Sequence, residues 1–328
     1  ILGRALISDN DPKAPDAYVE AIKRVTIADV QRVARTYLDE DNRVSARYLD
    51  ESQRPEGVPE DSWRNPAPMP TFLTLPAAIK APNELRAEAN REAPPALSEA
   101  RPLAAPEITE RTLANGLRVI VARSTDLPIM NARLVMAGGA AADPVDEPGL
   151  ASMTAALATQ GAGGLSALEI AARLEALGGS AGGGAGSDDT TLFVSAPIAS
   201  ATEVGAIMSD VVQNPTFSTE ELERTRVQRI NGLRVNLREP GPLAGQVLNR
   251  IAYGASSYGS PSGGTIESLG QISRDDIVAF HDRWWRPDNA ALIITGGMTA
   301  DEGFAFAEQV LGGWEQPDEA RPVVGPRA

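Results

Sequence analysis

Cysteine is absent from this sequence, and the only histidine among its 328 residues is His281. The lack of cysteine excludes disulfides, a thiol nucleophile and iron–sulfur clusters. Most protein zinc sites use at least two Cys or His ligands, so this chain cannot build such a site from its own residues. A Ser-His-Asp triad would have to use His281, and the segment Gly254-Ala-Ser-Ser-Tyr258 does not form the Gly-x-Ser-x-Gly turn of such enzymes. We therefore interpret His281 as an ordinary packed or surface residue.

Positive charge is also scarce, and long apolar runs are missing. The 30 Lys and Arg residues face 44 Asp and Glu residues, which gives a net charge of −14. This balance argues against nucleic acid and anionic membranes as partners. No run of about 20 apolar residues could span a bilayer, and no signal peptide is visible. Because the chain begins at Ile1 rather than Met, we expect it to be a piece of a longer polypeptide.

A proline-rich segment divides the sequence. Eleven of the 25 prolines fall within residues 52–106. Proline fixes φ and lacks an N–H donor, so neither a helix nor a central strand can continue through such a segment. The pattern predicts an extended connector, with plain disorder as the alternative. We therefore divide the chain into a tail at 1–50, a Pro-rich linker at 51–108 and a domain at 109–328.

Local patterns predict the strands and helices of an α+β fold. Apolar runs predict strands at 117–122, 132–137, 190–196 and 290–295. Capping residues and apolar periodicity predict helices near 150–157, 166–177, 218–237, 273–285 and 300–311. Pro240 is expected to end the helix at 218–237. Strands in pairs and helices in runs indicate α+β rather than strict βαβ alternation.

Residues 25–42 and 272–289 form an internal repeat with a constant offset of 247 residues. Each copy has a Ser or Thr before a helix, an Asp three residues later, and an apolar stripe that ends in Tyr37 or Trp284. An Asp-Asn pair then leads towards a strand. The duplication predicts that residues 1–50 are the C-terminal tail of a preceding homologous domain.

Short motifs are spaced along the predicted domain in a fixed order. They are Leu113-Ala-Asn115-Gly116-Leu117, Met136-Ala-Gly138-Gly139, Glu147-Pro-Gly149-Leu150-Ala151, Leu174-Glu-Ala-Leu-Gly178-Gly179, Tyr258-Gly-Ser-Pro261 and Phe280-His-Asp-Arg-Trp284-Trp-Arg286-Pro287-Asp-Asn289. With these motifs, residues 109–315 resemble the repeated domain of the insulinase-like (pitrilysin, M16) zinc metallopeptidases, a family that includes the mitochondrial processing peptidase and bc1 core subunits. The resemblance implies a two-layer domain of the LuxS/MPP-like metallohydrolase type, with an antiparallel-rich sheet and helices packed on one face.

Active members of that family carry a zinc-binding helix, His-x-x-Glu-His, directly after Gly-Leu-Ala. The matching positions in this sequence are Ser152, Ala155 and Ala156, and the third ligand, a glutamate, falls on Asn231-Gly232. None of these replacements binds zinc well or transfers a proton at neutral pH. The resemblance therefore implies a non-catalytic domain with no catalytic, metal-binding or cofactor-binding residue of its own. Zinc is expected in the catalytic half of the parent protein.

A glycine-rich stretch replaces the strand that pairs with extended substrate in active members. Gly182, Gly183 and Gly184 lie within it, and six of the nine residues 178–186 are glycine. A bare strand edge at these glycines could admit a peptide by β-augmentation. The alternative is a flexible turn between a helix and a strand.

The resemblance implies a non-catalytic domain of a larger M16-type zinc peptidase, which encloses and positions peptide substrate. The expected partners are a peptide or unfolded polypeptide and the catalytic M16 half, either in cis or as a partner subunit. A periplasmic or otherwise secreted location is implied in the same way. The alternative is an architectural protein similar to the core subunits of respiratory complexes, with no peptidase role. The arginines of the predicted helix at 218–237 are interpreted as a solvated face.

Overall fold

The computed structural model describes residues 13–38, 105–124 and 126–324, and the single positions Arg4, Ile7, Asn10, Asp11, Arg43 and Val44. The chain divides into two compact units, Ile1–Ser98 and Glu99–Ala328. Most of the predicted linker lies outside the described residues, and the domain boundaries 1–50, 51–108 and 109–328 stay predictions. No helix in the described part of the chain is long and apolar enough to cross a membrane.

Two helices are described in the first unit, α1 (Ala14–Lys23) and α2 (Ile27–Tyr37). Thr26 precedes α2, and its hydroxyl accepts a hydrogen bond from the Asp29 N–H. The Asp29 carboxylate accepts one from the Thr26 N–H in return. This reciprocal pair satisfies two N–H groups at the helix start, which confirms the predicted Thr-capped helix.

Six strands of the second unit form one sheet in the order β1-β2-β8-β3-β7-β6. They are β1 (Ile108–Thr112), β2 (Arg118–Arg123), β3 (Ile129–Ala137), β6 (Ser180–Ala185), β7 (Asp189–Pro197) and β8 (Ala290–Gly296). A short hairpin of β4 (Gly161–Ala162) and β5 (Leu165–Ser166) is separate from this sheet. β2 and β8 run parallel, and the other neighbouring pairs are antiparallel. β1 and β6 are therefore the edges.

The described helices of the second unit run from α3 to α10. They are α3 (Leu150–Ala158), α4 (Ala167–Ala176), α5 (Ala201–Gln213), α6 (Thr219–Asn236), α7 (Pro240–Tyr253), α8 (Ile266–Gln271), α9 (Arg274–Trp284) and α10 (Ala300–Leu311). The predicted helices at 150–157, 166–177, 218–237, 273–285 and 300–311 correspond to α3, α4, α6, α9 and α10.

Side chains alternate along the central strands, so that one face of the sheet is buried. In β3, Met130, Leu134 and Met136 are fully buried, while the intervening Arg133 is exposed. Helices α3 to α6 and α8 to α10 contribute buried residues to the core on this face, to which Val212 of α5 belongs. The expected α+β class, with an antiparallel-rich sheet and helices on one face, is confirmed.

The internal repeat has the same local structure in both copies. α2 and α9 both have 11 residues and both begin with the reciprocal cap, which in α9 joins Ser273 and Asp276. The stripe of α9, including Trp284, is buried in the core. The corresponding stripe of α2 is exposed, and its Tyr37 is 66% exposed. The cap and the length of the helix are thus encoded locally, whereas burial depends on the surrounding domain.

Pro240 was expected only to stop a helix, and that expectation was incomplete. α6 ends before it, but Pro240 is also the first residue of α7. Proline is tolerated in the first turn of a helix because the N–H that it lacks has no partner within the helix there. None of the residues of α7 is buried.

Candidate functional site

Helix α3 is preceded by a glycine in the left-handed backbone region, which other residues rarely adopt. Gly149 has a φ of 98°, and a Cβ added to it would lie 2.7 Å from the Cα of Gly264. The buried carboxylate of Asp143 accepts hydrogen bonds from the N–H groups of Gly149 at 2.7 Å and Ala151 at 2.8 Å. Together these contacts satisfy N–H groups at the helix start and fix the direction of α3.

The three positions that match the zinc-binding motif lie on α3. Ala155 is 0% exposed, while Ser152 and Ala156 are half-buried and lie one turn apart on one face. A hydroxyl group and two methyl groups provide neither the nitrogen, sulfur and carboxylate donors that zinc requires nor a base at neutral pH. No group of three or more His, Cys, Asp or Glu residues able to hold a metal occurs among the described residues. The residues present do not fit a zinc ion.

A guanidinium group from α6 reaches the same face of α3. The Nη1–H of Arg229 donates to Ser152 Oγ at 2.7 Å, and the Nη2–H donates to the Ser152 carbonyl at 3.0 Å. Burial lowers the pKa of Arg229, which is half-buried. A guanidinium nevertheless keeps its proton at neutral pH. A fixed positive charge, which repels a metal cation, therefore lies beside Ser152.

The interpretation of the α6 arginines as a solvated face is wrong for two of them. The side chain of Arg226 is 13% exposed, and its guanidinium donates to the carbonyl groups of Leu269 and Ile272. Arg229 is half-buried against α3. The spacing of these arginines with glutamates is typical of a surface helix and predicts exposure. The packing of α6 against α3 and α8 could not be read from that spacing.

The expected position of the third zinc ligand also contains no donor directed at α3. Asn231 is exposed, and its Oδ1 accepts a hydrogen bond from Arg234 at 3.3 Å. Gly232 has no side chain, and no atom lies within 4 Å of the position that its Cβ would take. Of the α6 side chains, that of Arg229 is bonded to Ser152.

β6 forms an edge of the sheet next to α3. The Gly186 N–H donates to the Asp189 carbonyl at 2.8 Å and closes the β6–β7 hairpin. Main-chain groups alternate in direction along an antiparallel strand. In the observed register, those of Gly182 and Gly184 therefore face β7, while those of Ala181, Gly183 and Ala185 face away. In the part of the chain that the structure describes, no strand pairs with this outer edge.

The glycines of β6 lie in a strand, so the interpretation of this stretch as a flexible turn is wrong. Gly182 pairs with Phe193, and a Cβ at Gly182 would lie 2.7 Å from the Phe193 ring. A Cβ at Gly183 would lie 2.3 Å from Cδ2 of Leu192, whereas the space around Gly184 is open. The lack of a side chain at Gly182 and Gly183 therefore leaves room for side chains of β7. Their assignment as peptide-binding residues stays a prediction.

A cavity of about 290 Å³ lies between β6 and the helices beside it. Its lining is mostly apolar and comprises Thr159, Gln160, Ala167, Ile170, Ala171, Leu174, Ala181, Gly182, Leu192, Phe193, Val194, Met208 and Val211. Arg224 of α6 donates to Gln160 Oε1 at 2.7 Å. This hydrogen bond joins α6 to the residues that follow α3, beside the edge of the sheet.

Sequence models of one peptidase family match most of the second unit. The model described as insulinase (peptidase family M16) matches residues 118–265, and the model described as the peptidase M16 inactive domain matches residues 271–328. The chain belongs to the M16 peptidase family.

Relatives and solved structures are similar to part of this M16 chain. An uncharacterized zinc protease of Rickettsia bellii is 22% identical over 211 residues, which cover 63% of this chain and 50% of the relative. The mitochondrial-processing peptidase subunit beta of Bos taurus is 24% identical over 206 residues, 62% of this chain and 41% of that protein. The M16 chain therefore spans about half the length of the curated relatives it matches, or less.

Among solved structures, a peptidase M16 inactive domain from Pseudomonas fluorescens has a TM-score of 0.62 and 26% identity, over 67% of this chain and 54% of that chain. A protease from Helicobacter pylori has a TM-score of 0.62 and 17% identity, over 68% of this chain and 55% of that chain. The second of these similarities concerns the fold alone.

The single histidine of this M16 chain is a packing residue. His281 is 9% exposed, and its Nε2–H donates to the Val212 carbonyl at 2.8 Å. Its ring lies between Phe217 and Trp285, with centroid distances of 5.5 and 5.0 Å. Nδ1 is 3.1 Å from the carboxylate of Asp282. The bond to the Val212 carbonyl and the two ring contacts explain why a histidine is placed in the core.

Proposed function

We propose that this M16 chain is a non-catalytic part of a larger zinc peptidase, in which it encloses and positions polypeptide substrate. The zinc site would lie in another segment of the parent protein or in a partner subunit. The observation that carries this proposal is the edge strand β6. Its outward main-chain groups, with which no described strand pairs, lie beside α3, where the family resemblance aligns Ser152, Ala155 and Ala156 with the metal ligands and base.

The names of the relatives support a peptidase that is divided into a zinc-bearing part and a non-catalytic part. Several are named zinc proteases, and the matched proteins include the alpha and beta subunits of the mitochondrial-processing peptidase. This chain spans about half or less of their length. A periplasmic or otherwise secreted location is part of the proposal and rests on the family resemblance.

Extended polypeptide is the ligand class that an open strand edge recognises best. Ala181, Gly183 and Ala185 each direct one N–H and one C=O group away from β7. A peptide strand can pair with these groups whatever its sequence, because the bonds are made by the main chain. The adjacent apolar cavity would accept one of its apolar side chains.

The test uses fluorescence anisotropy with a fluorescein-labelled ten-residue peptide of Val, Thr, Ser and Ala. Ala181→Pro removes one outward N–H without removing a bond to β7, because proline at such a position leaves the ladder intact. We expect this change to weaken peptide binding about tenfold, from the lost bond and the added ring. Gly270→Ala in α8 is the control, since its Cβ would meet no atom within 4 Å and the residue lies outside β6. It should bind as wild type does.

A second peptide, N-methylated at every residue, tests the same bonds from the ligand side. It should bind at least about tenfold more weakly than the unmodified peptide, because it cannot donate to the strand edge. Equal binding of both peptides, or unchanged binding by Ala181→Pro, would show that β6 is not the docking edge.

An architectural role without peptide binding is the second candidate, and α7 is the observation that favours it. This helix has no buried residue, and it exposes Leu248 by 64% and Ile251 by 76%. Such a surface is typical of a contact with another protein or domain. The two candidates differ in the anisotropy test, because a purely architectural subunit should bind none of the peptides.

A further inference from the structure

Arg229 differs from Arg224 and Arg226 of α6 in having no acidic partner among the residues that the structure describes. Arg224 pairs with Glu221, and Arg226 pairs with Glu223. No carboxylate within the described residues lies at ion-pair distance from Arg229, and its bonds go to the hydroxyl and carbonyl of Ser152. Two of its five N–H groups are used in this way.

The environment of Arg229 favours the binding of an anion. Burial lowers the pKa of the guanidinium, and none of the carboxylates in the described ranges opposes that change. A half-buried charge without a counter-charge is unfavourable, and an anion that reaches it removes that penalty. The planar fork of the guanidinium matches a carboxylate, which it can bind through two parallel bonds. The contacts with Ser152 hold the fork in place.

The position of Arg229 relative to β6 indicates which carboxylate could reach it. α3 contacts both α6 and β6, and Gln160, eight residues after Ser152, lines the cavity together with Gly182. From Ser152 to the end of α3 at Ala158 the helix rises about 9 Å, and the two further residues to Gln160 bring the distance to roughly 12 Å. An extended peptide spans that distance with about four residues. A carboxylate a few residues from the part of a peptide that pairs with Gly182 is therefore within reach.

We propose that Arg229 binds a carboxylate of the polypeptide that lies along β6, at the position where the family resemblance places the metal. The inference rests on the proposed function, because it requires a peptide at that edge. The guanidinium of Arg229 thus supplies a positive charge where active relatives would hold a metal cation, and it attracts a carboxylate of the peptide. The carboxylate is either the C-terminus of the peptide or the side chain of an Asp or Glu.

The test compares peptides that differ only in this group. The ten-residue peptide is prepared with a free C-terminal carboxylate and with a C-terminal amide, and the amide form is also prepared with Glu or Gln at successive internal positions. We expect the full chain to bind one carboxylate form at least about tenfold more tightly than its neutral partner. The first pair identifies a C-terminal carboxylate, and the second identifies an acidic side chain.

Substitution of Arg229 provides the second measurement. Arg229→Gln should bring the affinity for the carboxylate peptide down to that for the neutral peptide, and Arg229→Lys should retain part of the difference. Arg234→Gln is the matched control, because it removes an exposed arginine from the same helix and should leave the difference intact. If Arg229→Gln does not fold, salt titration of wild type replaces it. The preference should then decrease with ionic strength while binding of the neutral peptide changes little.

The outcomes separate the two proposals. Equal binding of acidic and neutral peptides by wild type would overturn the role of Arg229 and leave the β6 edge standing. The same holds if the preference survives in Arg229→Gln. Absence of binding by every peptide would overturn the proposed function, and this inference with it.

Discussion

The glycines of β6 give a direct test of how closely β7 packs against the sheet edge. Gly183→Ala and Gly184→Ala add the same methyl group to adjacent residues of one strand. At Gly183 the new Cβ would lie 2.3 Å from Cδ2 of Leu192 and 2.9 Å from the Thr191 carbonyl oxygen, whereas at Gly184 no atom lies within 4 Å. Leu192 is 2% exposed, so its side chain can move only by displacing the core.

The expected free energies of unfolding follow from these distances. Overpacking a well-packed core costs about 1–3 kcal/mol. Replacing glycine by alanine at a compatible position stabilises the folded chain by about 0.5–1 kcal/mol, because the unfolded chain loses conformational entropy. Gly184→Ala should therefore be neutral or slightly stabilising, and Gly183→Ala should be destabilised by about 1–2 kcal/mol. For a unit of this size, the two melting temperatures should differ by roughly 3–10 °C.

Thermal and urea unfolding, followed by far-ultraviolet circular dichroism, measure this difference. Wild type and the two variants are compared at one protein concentration and one pH. Coincident curves for the two variants, or a less stable Gly184→Ala, would refute the register in which Gly183 pairs with Leu192.

Two further predictions concern the approach to α3. Asp143→Ala leaves two N–H groups at the start of α3 without their buried acceptor. This should lower the free energy of unfolding, measured with urea, by about 2–4 kcal/mol. A decrease below about 0.5 kcal/mol would contradict this role of the carboxylate. The pKa of Glu147 is raised by burial, and then by the nearby charges of Asp276 and Asp146. The Glu147 carboxyl group therefore binds a proton more tightly in the folded chain than in the unfolded chain. Its protonation stabilises the fold at acid pH, and this stabilisation is lost as the pH rises through the raised pKa. Glu147→Gln should be more stable than wild type at pH 7, with a difference that shrinks towards pH 4; a difference independent of pH would argue against the assignment.

Elements with a local signal could be predicted from the sequence. Ser166 and Glu169 form the reciprocal cap of α4, and Thr299 and Glu302 form that of α10. These contacts lie within four residues, so their spacing in the sequence determines them. The apolar runs at 132–137 and 190–196 likewise predicted strands, which correspond to β3 and β7.

Features that depend on distant contacts could not be predicted in this way. The stretch at Gly182 has almost no intrinsic strand preference, and it is a strand because β7 pairs with it. Arg229 bonds to Ser152, 77 residues earlier in the chain, and that contact depends on how α6 packs on α3. The signal that could have drawn attention to it is a basic residue on the apolar side of α6, two residues before Asn231.

The central claim is that this chain contributes binding surface and not a metal site, because Arg229 and Ser152 occupy the face of α3 where the family resemblance places the zinc ligands. The most direct test is elemental analysis of the purified chain after equilibration with zinc and dialysis. The account predicts no stoichiometric zinc and a melting curve that is unchanged by zinc or by EDTA. One zinc ion per chain that survives dialysis and raises the melting temperature would contradict it.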